Sequence, residues 1–232
     1  LSFRHNARLH EHVRFLYSNG SMYKCCNSNL LYHGCIPMTE NREFDGLMVG
    51  GKMYRGKELM DFIDTQVKNA YFLPEDAPEK EACRDFMWYL WNGAKSPVFG
   101  KDKNRSFEHY FIEDPEVMRE TMNPYYQLSE EEETCDMILK EFGLPTKGSH
   151  IINGHMPVKI KSGETPIRAG GKLFIIDGGL SKAYQERTGI AGYTLIFNSH
   201  HLALAEHKPF DPERERTPKG YIVEKMQKRI TV

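Results

Sequence analysis

The sequence predicts an α/β fold, and three observations carry that reading. Two short apolar runs of strand type, Leu30-Leu31-Tyr32 and Ile151-Ile152-Asn153, each stop at a polar turn. Between them lie long segments whose apolar residues recur at helical spacing. A Gly50-Gly51 pair also separates two short apolar runs, the pattern of a β-hairpin with a tight turn.

Taken in order, residues 6–18 place Leu9, Val13, Leu16 and Tyr17 on a helical stripe and stop at Asn19-Gly20. Residues 21–26 and 28–33 read as two strands joined near Asn27. The Gly-Gly hairpin follows at 47–54. Residues 56–72 carry Leu59, Met60, Phe62, Ile63 and Val67 on one stripe, a long helix that Pro74 and Pro78 break. A second helix is expected at 79–91, with Trp88 and Trp91 as core aromatics. Residues 92–105 form a glycine- and lysine-rich loop, either simply solvated or a mobile anion-binding loop.

Residues 129–142 start with Ser129 as a cap and four glutamates, which suit the positive end of a helix dipole. A strand at 149–153 delivers His155 to its turn. Another at 172–177 ends on Asp177-Gly178-Gly179, and 191–198 with 201–206 read as paired strands. The remainder is charged, through Glu213-Arg214-Glu215-Arg216.

A chain of 232 residues can bury a substantial core as one large domain or two small ones. Its net charge of −1 gives no reason to expect a nucleic-acid or membrane-surface partner. The five cysteines, Cys25, Cys26, Cys35, Cys83 and Cys135, form no regular framework and suggest reduced thiols in a cytoplasmic protein. Cys25 and Cys26 are expected to be buried filler.

The chemistry centres on His33 and His155, each beside a glycine at the end of a strand-type run. Imidazole is the commonest metal ligand among side chains, and it binds in its neutral form. Ordinary turn histidines remain the alternative, because no short ligand motif joins the two. His200 and His201 are adjacent and point to opposite faces of a strand, and His10 and His12 are expected to be solvated.

With their flanks, Tyr32-His33-Gly34 and Asn153-Gly154-His155 resemble the third and fourth metal-binding motifs of the calcineurin-like metallophosphoesterases. The likeness extends to the class III fructose-1,6-bisphosphatases of Firmicutes through several further segments. These include His12-Val13-Arg14-Phe15-Leu16-Tyr17, Trp88-Tyr89-Leu90-Trp91, Lys95-Ser96-Pro97, Asn123-Pro124-Tyr125-Tyr126 and Asp177-Gly178-Gly179-Leu180-Ser181. The Asp-x-His, Gly-Asp-x-x-Asp-Arg and Gly-Asn-His-Glu/Asp motifs of that superfamily are absent. On this resemblance the chain is expected to be the C-terminal portion of a longer enzyme.

The resemblance implies the C-terminal half of a four-layer α-β-β-α sandwich. Residues 1–210 would belong to the catalytic domain, with a helical insertion at about 55–145 and a charged extension at 211–232. It implies hydrolysis of the 1-phosphate of fructose 1,6-bisphosphate in gluconeogenesis, in the cytoplasm, the chain alone being inactive. The cofactor would be a divalent metal of the manganese type, in a two-metal centre completed by residues absent here. His33 and His155 would bind one metal, and Met156-Pro157 replaces the second histidine that some relatives carry. Asp177 would stand behind the ligands. Lys95, Lys101, Arg105 and Arg168 are the candidates for the second phosphate of the sugar bisphosphate. The alternatives are a protein or dinucleotide phosphatase, or a non-catalytic regulatory domain. A half sandwich exposes strand edges, so a homo-oligomer is left open.

Overall fold

The computed structural model describes residues 5–179, 181–189, 192–198 and 202–207. The chain opens with α1 (Ala7–Asn19), β1 (Tyr23–Cys26), β2 (Asn29–Tyr32) and a hairpin of β3 (Gly46–Val49) and β4 (Lys52–Arg55). Helices α2 (Gly56–Phe72), α3 (Pro78–Asn92), α4 (Pro115–Met118), α5 (Tyr125–Leu128) and α6 (Glu132–Glu141) follow. Then come β5 (His150–Asn153), β6 (Ile167–Arg168), β7 (Leu173–Ile175), α7 (Lys182–Thr188), β8 (Tyr193–Phe197) and β9 (Leu202–Glu206). The fold is mixed α/β, as the sequence predicts. No helix among the described residues is long and apolar enough to cross a membrane.

Contacts divide the chain into two compact units, residues 1–25 with 32–128 and residues 26–31 with 129–232. The first is built around α2 and α3. Leu59, Ile63 and Leu90 are buried, and Leu47, Tyr54, Phe62, Phe86 and Val98 pack on them. Rings continue the packing: Tyr54 stacks on Phe62 with centroids 4.2 Å apart, and Phe62 meets Phe86 edge-on at 5.5 Å. Gly50 and Gly51 both take positive φ, which a two-residue turn with the right twist requires of its central pair. Asn6 caps α1 by accepting from the Leu9 N–H.

Some expectations fail in this unit. Trp88 and Trp91 are 62% and 51% exposed rather than core. The buried stripe of α3 runs through Lys80, Cys83 and Leu90, which leaves the tryptophans on its flank, packed on each other at 5.0 Å. Helix α1 buries none of its residues, although Tyr17 stacks on Tyr71. Cys25 and Cys26 are exposed, because β1 faces solvent from Lys24 onward and offers no core to fill. His10 and His12 are exposed, as expected.

In the second unit the strands run in the order β2-β5-β7-β6. β2 and β5 pair in parallel, with Leu30 opposite Ile151, and β5 and β7 pair in parallel, with Ile152 opposite Phe174. Parallel strands are covered on both faces, which explains why these segments are nearly continuous apolar runs. Leu30, Ile151, Ile152, Leu173 and Phe174 are all buried. β8 and β9 form a separate antiparallel hairpin. Helix α6 starts at Glu132 with Glu131 at its cap position, later than the Ser129 start expected. Ser129 is buried, and its carbonyl accepts instead from the Cys135 thiol. His200, His201 and the charged stretch 211–232 lie outside the described residues.

Candidate functional site

His33 and His155 fall in different units. His33 follows β2 directly and is exposed, at the edge of a buried segment from Gly34 to Met38. Three contacts hold that segment. The Cys35 N–H donates to the Pro97 carbonyl at 2.9 Å. The Asn123 carboxamide oxygen accepts from the Met38 N–H at 3.1 Å and from the Tyr125 N–H at 3.0 Å. The Tyr32 and Tyr125 hydroxyls meet at 2.6 Å in a buried pair. A side chain at Gly34 would place its Cβ 2.3 Å from the Pro97 oxygen, so only glycine lets the two backbones approach this closely. Cys35 is inert: burial pushes its thiol up to about 12, against a hydrogen bond with Tyr126.

The two motifs Lys95-Ser96-Pro97 and Asn123-Pro124-Tyr125-Tyr126 are thus the scaffold of the His33 turn. Beyond Lys95 as a phosphate candidate, the sequence gives no sign of this scaffold role, because the partners are far apart along the chain. The buried Ser96 hydroxyl, donating to the Leu90 carbonyl at 2.6 Å, ties the first of them to the end of α3.

His155 sits in a strained turn after β5. Its φ is +66°, and the Met156 N–H donates to the Gly154 carbonyl at 2.7 Å across it. This is a three-residue turn with positive φ at its centre, a rare conformation for a residue with a side chain. Asp177 lies past the end of β7 and braces the stretch after this turn. Its carbonyl accepts from the Val158 N–H at 2.9 Å, and its carboxylate accepts from the Gly179 N–H at 2.9 Å.

Each of the four phosphate candidates is engaged by a carboxylate. Lys95 pairs with Asp45 at 3.0 Å, Lys101 with Glu120 at 2.6 Å and Arg105 with Glu108 at 2.7 Å. Arg168, in the second unit, bridges Glu130 and Glu164. Lys101 and Arg105 converge on Glu120, which also accepts from the Arg105 N–H at 2.8 Å. Recruiting any of these cations to a phosphate costs it an existing pair.

Glu120 gives a pH prediction. Burial raises its pKa, but hydrogen bonds from Lys101 and the Arg105 backbone outweigh that and hold it below the ordinary value of 4.5. A carboxylate with a depressed folded-state pKa stabilises the fold fully above its unfolded pKa, and loses that contribution as pH falls through the folded one. Glu120→Gln is therefore expected to be less stable than the parent chain near neutral pH and to converge with it in acid, as pH falls through the lowered folded-state pKa. Urea unfolding at several pH values checks this. A gap that persisted unchanged in acid would show that the ionised pair is not its source.

For a metal, imidazole donors are chemically apt, and one of the two is exposed. Among the described residues, however, no group of three or more His, Cys, Asp or Glu side chains could hold an ion. The described residues do not by themselves make up a two-metal centre.

The architecture is that of a mixed α/β protein in which two histidine turns follow paired parallel strands. Comparison with known proteins is specific. The chain matches the family described as Firmicute fructose-1,6-bisphosphatase over residues 1–231, and it belongs to that family. It is 48% identical over 235 residues to the fructose-1,6-bisphosphatase class 3 of Finegoldia magna, covering 100% of this chain and 36% of the relative. A Clostridium beijerinckii class 3 enzyme is 54% identical over 210 residues, covering 90% and 32%. The class 3 enzyme of Bacteroides fragilis is 49% identical over 219 residues, covering 94% and 33%. The chain thus spans about a third of the length of these curated relatives. No solved structure matches it.

Proposed function

We propose that this chain is part of an enzyme that hydrolyses the 1-phosphate of fructose 1,6-bisphosphate, using a manganese-type divalent metal in the cytoplasm. The observation that carries the proposal is family membership over nearly the whole chain, at about half identity to enzymes named for that reaction. In this reading residues 1–210 are the C-terminal half of a four-layer metallophosphoesterase sandwich, with 55–145 as a helical insertion. His33 and His155 each present a neutral imidazole to one metal, and the remaining ligands come from parts of the family's length outside these residues. A divalent metal pair in such enzymes supplies the activated water and neutralises charge on the phosphoryl oxygens. The chain's own part is positional. The Pro97 and Asn123 contacts fix the His33 turn, and Asp177 braces the stretch after His155. Arg168, Lys101, Arg105 and Lys95 are the cations available to the second phosphate once their carboxylates yield.

A substrate panel tests the reading on the full-length gene product carrying these residues. With manganese, phosphate release from fructose 1,6-bisphosphate is expected to exceed release from diadenosine tetraphosphate or a phosphoserine peptide by at least about a hundredfold in kcat/KM. A preference for either of the other two would replace the proposal with a different phosphoesterase.

A further inference from the structure

Helix α1 has little of its own to hold it together. It is 13 residues long, and an isolated helix of that length is marginal in water even with the best helix formers. His10, His12, Val13, Phe15 and Tyr17 are weak ones. Its first turn carries no acidic residue and its last no basic one, so its dipole is not offset. The Asn6 cap supports one end. Such a helix is ordinarily held by burial of an apolar face.

Burial is what α1 lacks. Leu9, Val13, Leu16 and Tyr17 line one stripe, yet no residue of the helix is buried. Tyr17 turns to α2, stacked on Tyr71 with centroids 4.4 Å apart and edge-on to Phe72 at 6.5 Å. Leu16, its neighbour on the stripe, is 65% exposed, and Phe15 is 64% exposed. Single exposed apolar side chains are ordinary on a protein surface. A whole helix with an apolar stripe and no buried residue is not, because such a stripe is normally covered by another layer.

About two thirds of the length of the matched class 3 relatives lies outside these residues, enough to supply that layer. A second copy of the chain fits less well. Helix α1 carries Arg8 and Arg14 against a single glutamate, Glu11. Two copies meeting symmetrically through this face would bring like charge together.

We propose that the Leu16 and Phe15 face of α1 docks on an apolar surface formed by the part of the full-length gene product outside these 232 residues. The proposal rests on the family reading, which supplies the further length.

Hydrogen exchange followed by mass spectrometry tests it on the full-length gene product and on this 232-residue chain. Helix α2, whose Leu59 and Ile63 are buried, is the folded reference in each sample. Amides of α1 are expected to exchange at least about tenfold more slowly in the full-length protein than in this chain, at every protein concentration. In the full-length protein Leu16→Asp should remove that protection and leave α2 unchanged. Arg14→Asp puts the same poor helix former on the exposed polar face, and should stay within about threefold of the parent. If Leu16→Asp unfolds α2 as well, Leu16→Ala is read instead. It should speed α1 exchange at least about threefold, although alanine is the better helix former. Equal α1 exchange in the two proteins, or no loss of protection in the Leu16 variant, would overturn the proposal. Protection that grows with concentration would make a second copy the cover and overturn it equally. Turnover of the same samples keeps this apart from the proposed reaction. A protected α1 in a protein that prefers another phosphoester refutes the reaction alone, and an unprotected α1 in an active fructose-1,6-bisphosphatase refutes the docking alone.

Discussion

Gly34→Ala is expected to destabilise the first unit and to spoil the His33 turn. The added methyl carbon would sit 2.3 Å from the Pro97 oxygen and 3.6 Å from the Val98 Cα, both backbone atoms that cannot swing aside. Overpacking of this kind costs about 1–3 kcal/mol. Relief requires the Cys35 N–H to Pro97 hydrogen bond to lengthen, which moves His33 with it. If His33 is a metal ligand, a displacement of about 1 Å there costs on the order of a hundredfold in rate. Urea unfolding and the kcat of the full-length protein should therefore both fall. Gly50→Ala is the control, because its Cβ meets nothing within 4 Å although its φ is +57°. That substitution should lose stability by the ~1 kcal/mol of backbone strain and leave kcat unchanged. Equal kcat in both variants would mean that the close approach at Gly34 does not position the histidine.

His155→Gly is expected to separate stability from activity. A histidine at φ +66° stores about 1 kcal/mol of strain, which glycine does not feel. Glycine's greater freedom in the unfolded chain offsets much of that gain, so the variant should unfold close to the parent's denaturant midpoint. If the imidazole is a metal ligand, activity should drop by more than about a hundredfold, since groups that merely orient such ligands already cost ~10–100-fold when removed. Backbone strain of this kind clusters at functional positions. Lower stability together with full activity would identify His155 as a structural turn residue.

Much of the local structure is legible in the sequence because it is set by local rules. The α2 stripe from Leu59 to Val67, bounded by Gly56 and the Pro74 break, yields the helix observed at Gly56–Phe72. Gly50-Gly51 marks a turn that only positive-φ residues make well. Periodicity does not say what covers a stripe, which is why Trp88, Trp91, Cys25 and Cys26 are exposed where burial was expected. It is equally silent on long-range pairing. Nothing local to Gly34 announces the Pro97 carbonyl, and nothing local to Lys101 announces Glu120. For the candidate site, the two histidine positions were readable from glycine-flanked strand ends. The strain at His155 and the scaffold under His33 were not.

The most direct measurement is manganese-dependent phosphate release from fructose 1,6-bisphosphate, comparing this chain, the full-length gene product and its His33→Ala variant. The account predicts turnover by the full-length protein, a loss of more than about a hundredfold on His33→Ala, and none from this chain, which spans about a third of its relatives' length. Turnover that survives His33→Ala, or that this chain sustains alone, would contradict it.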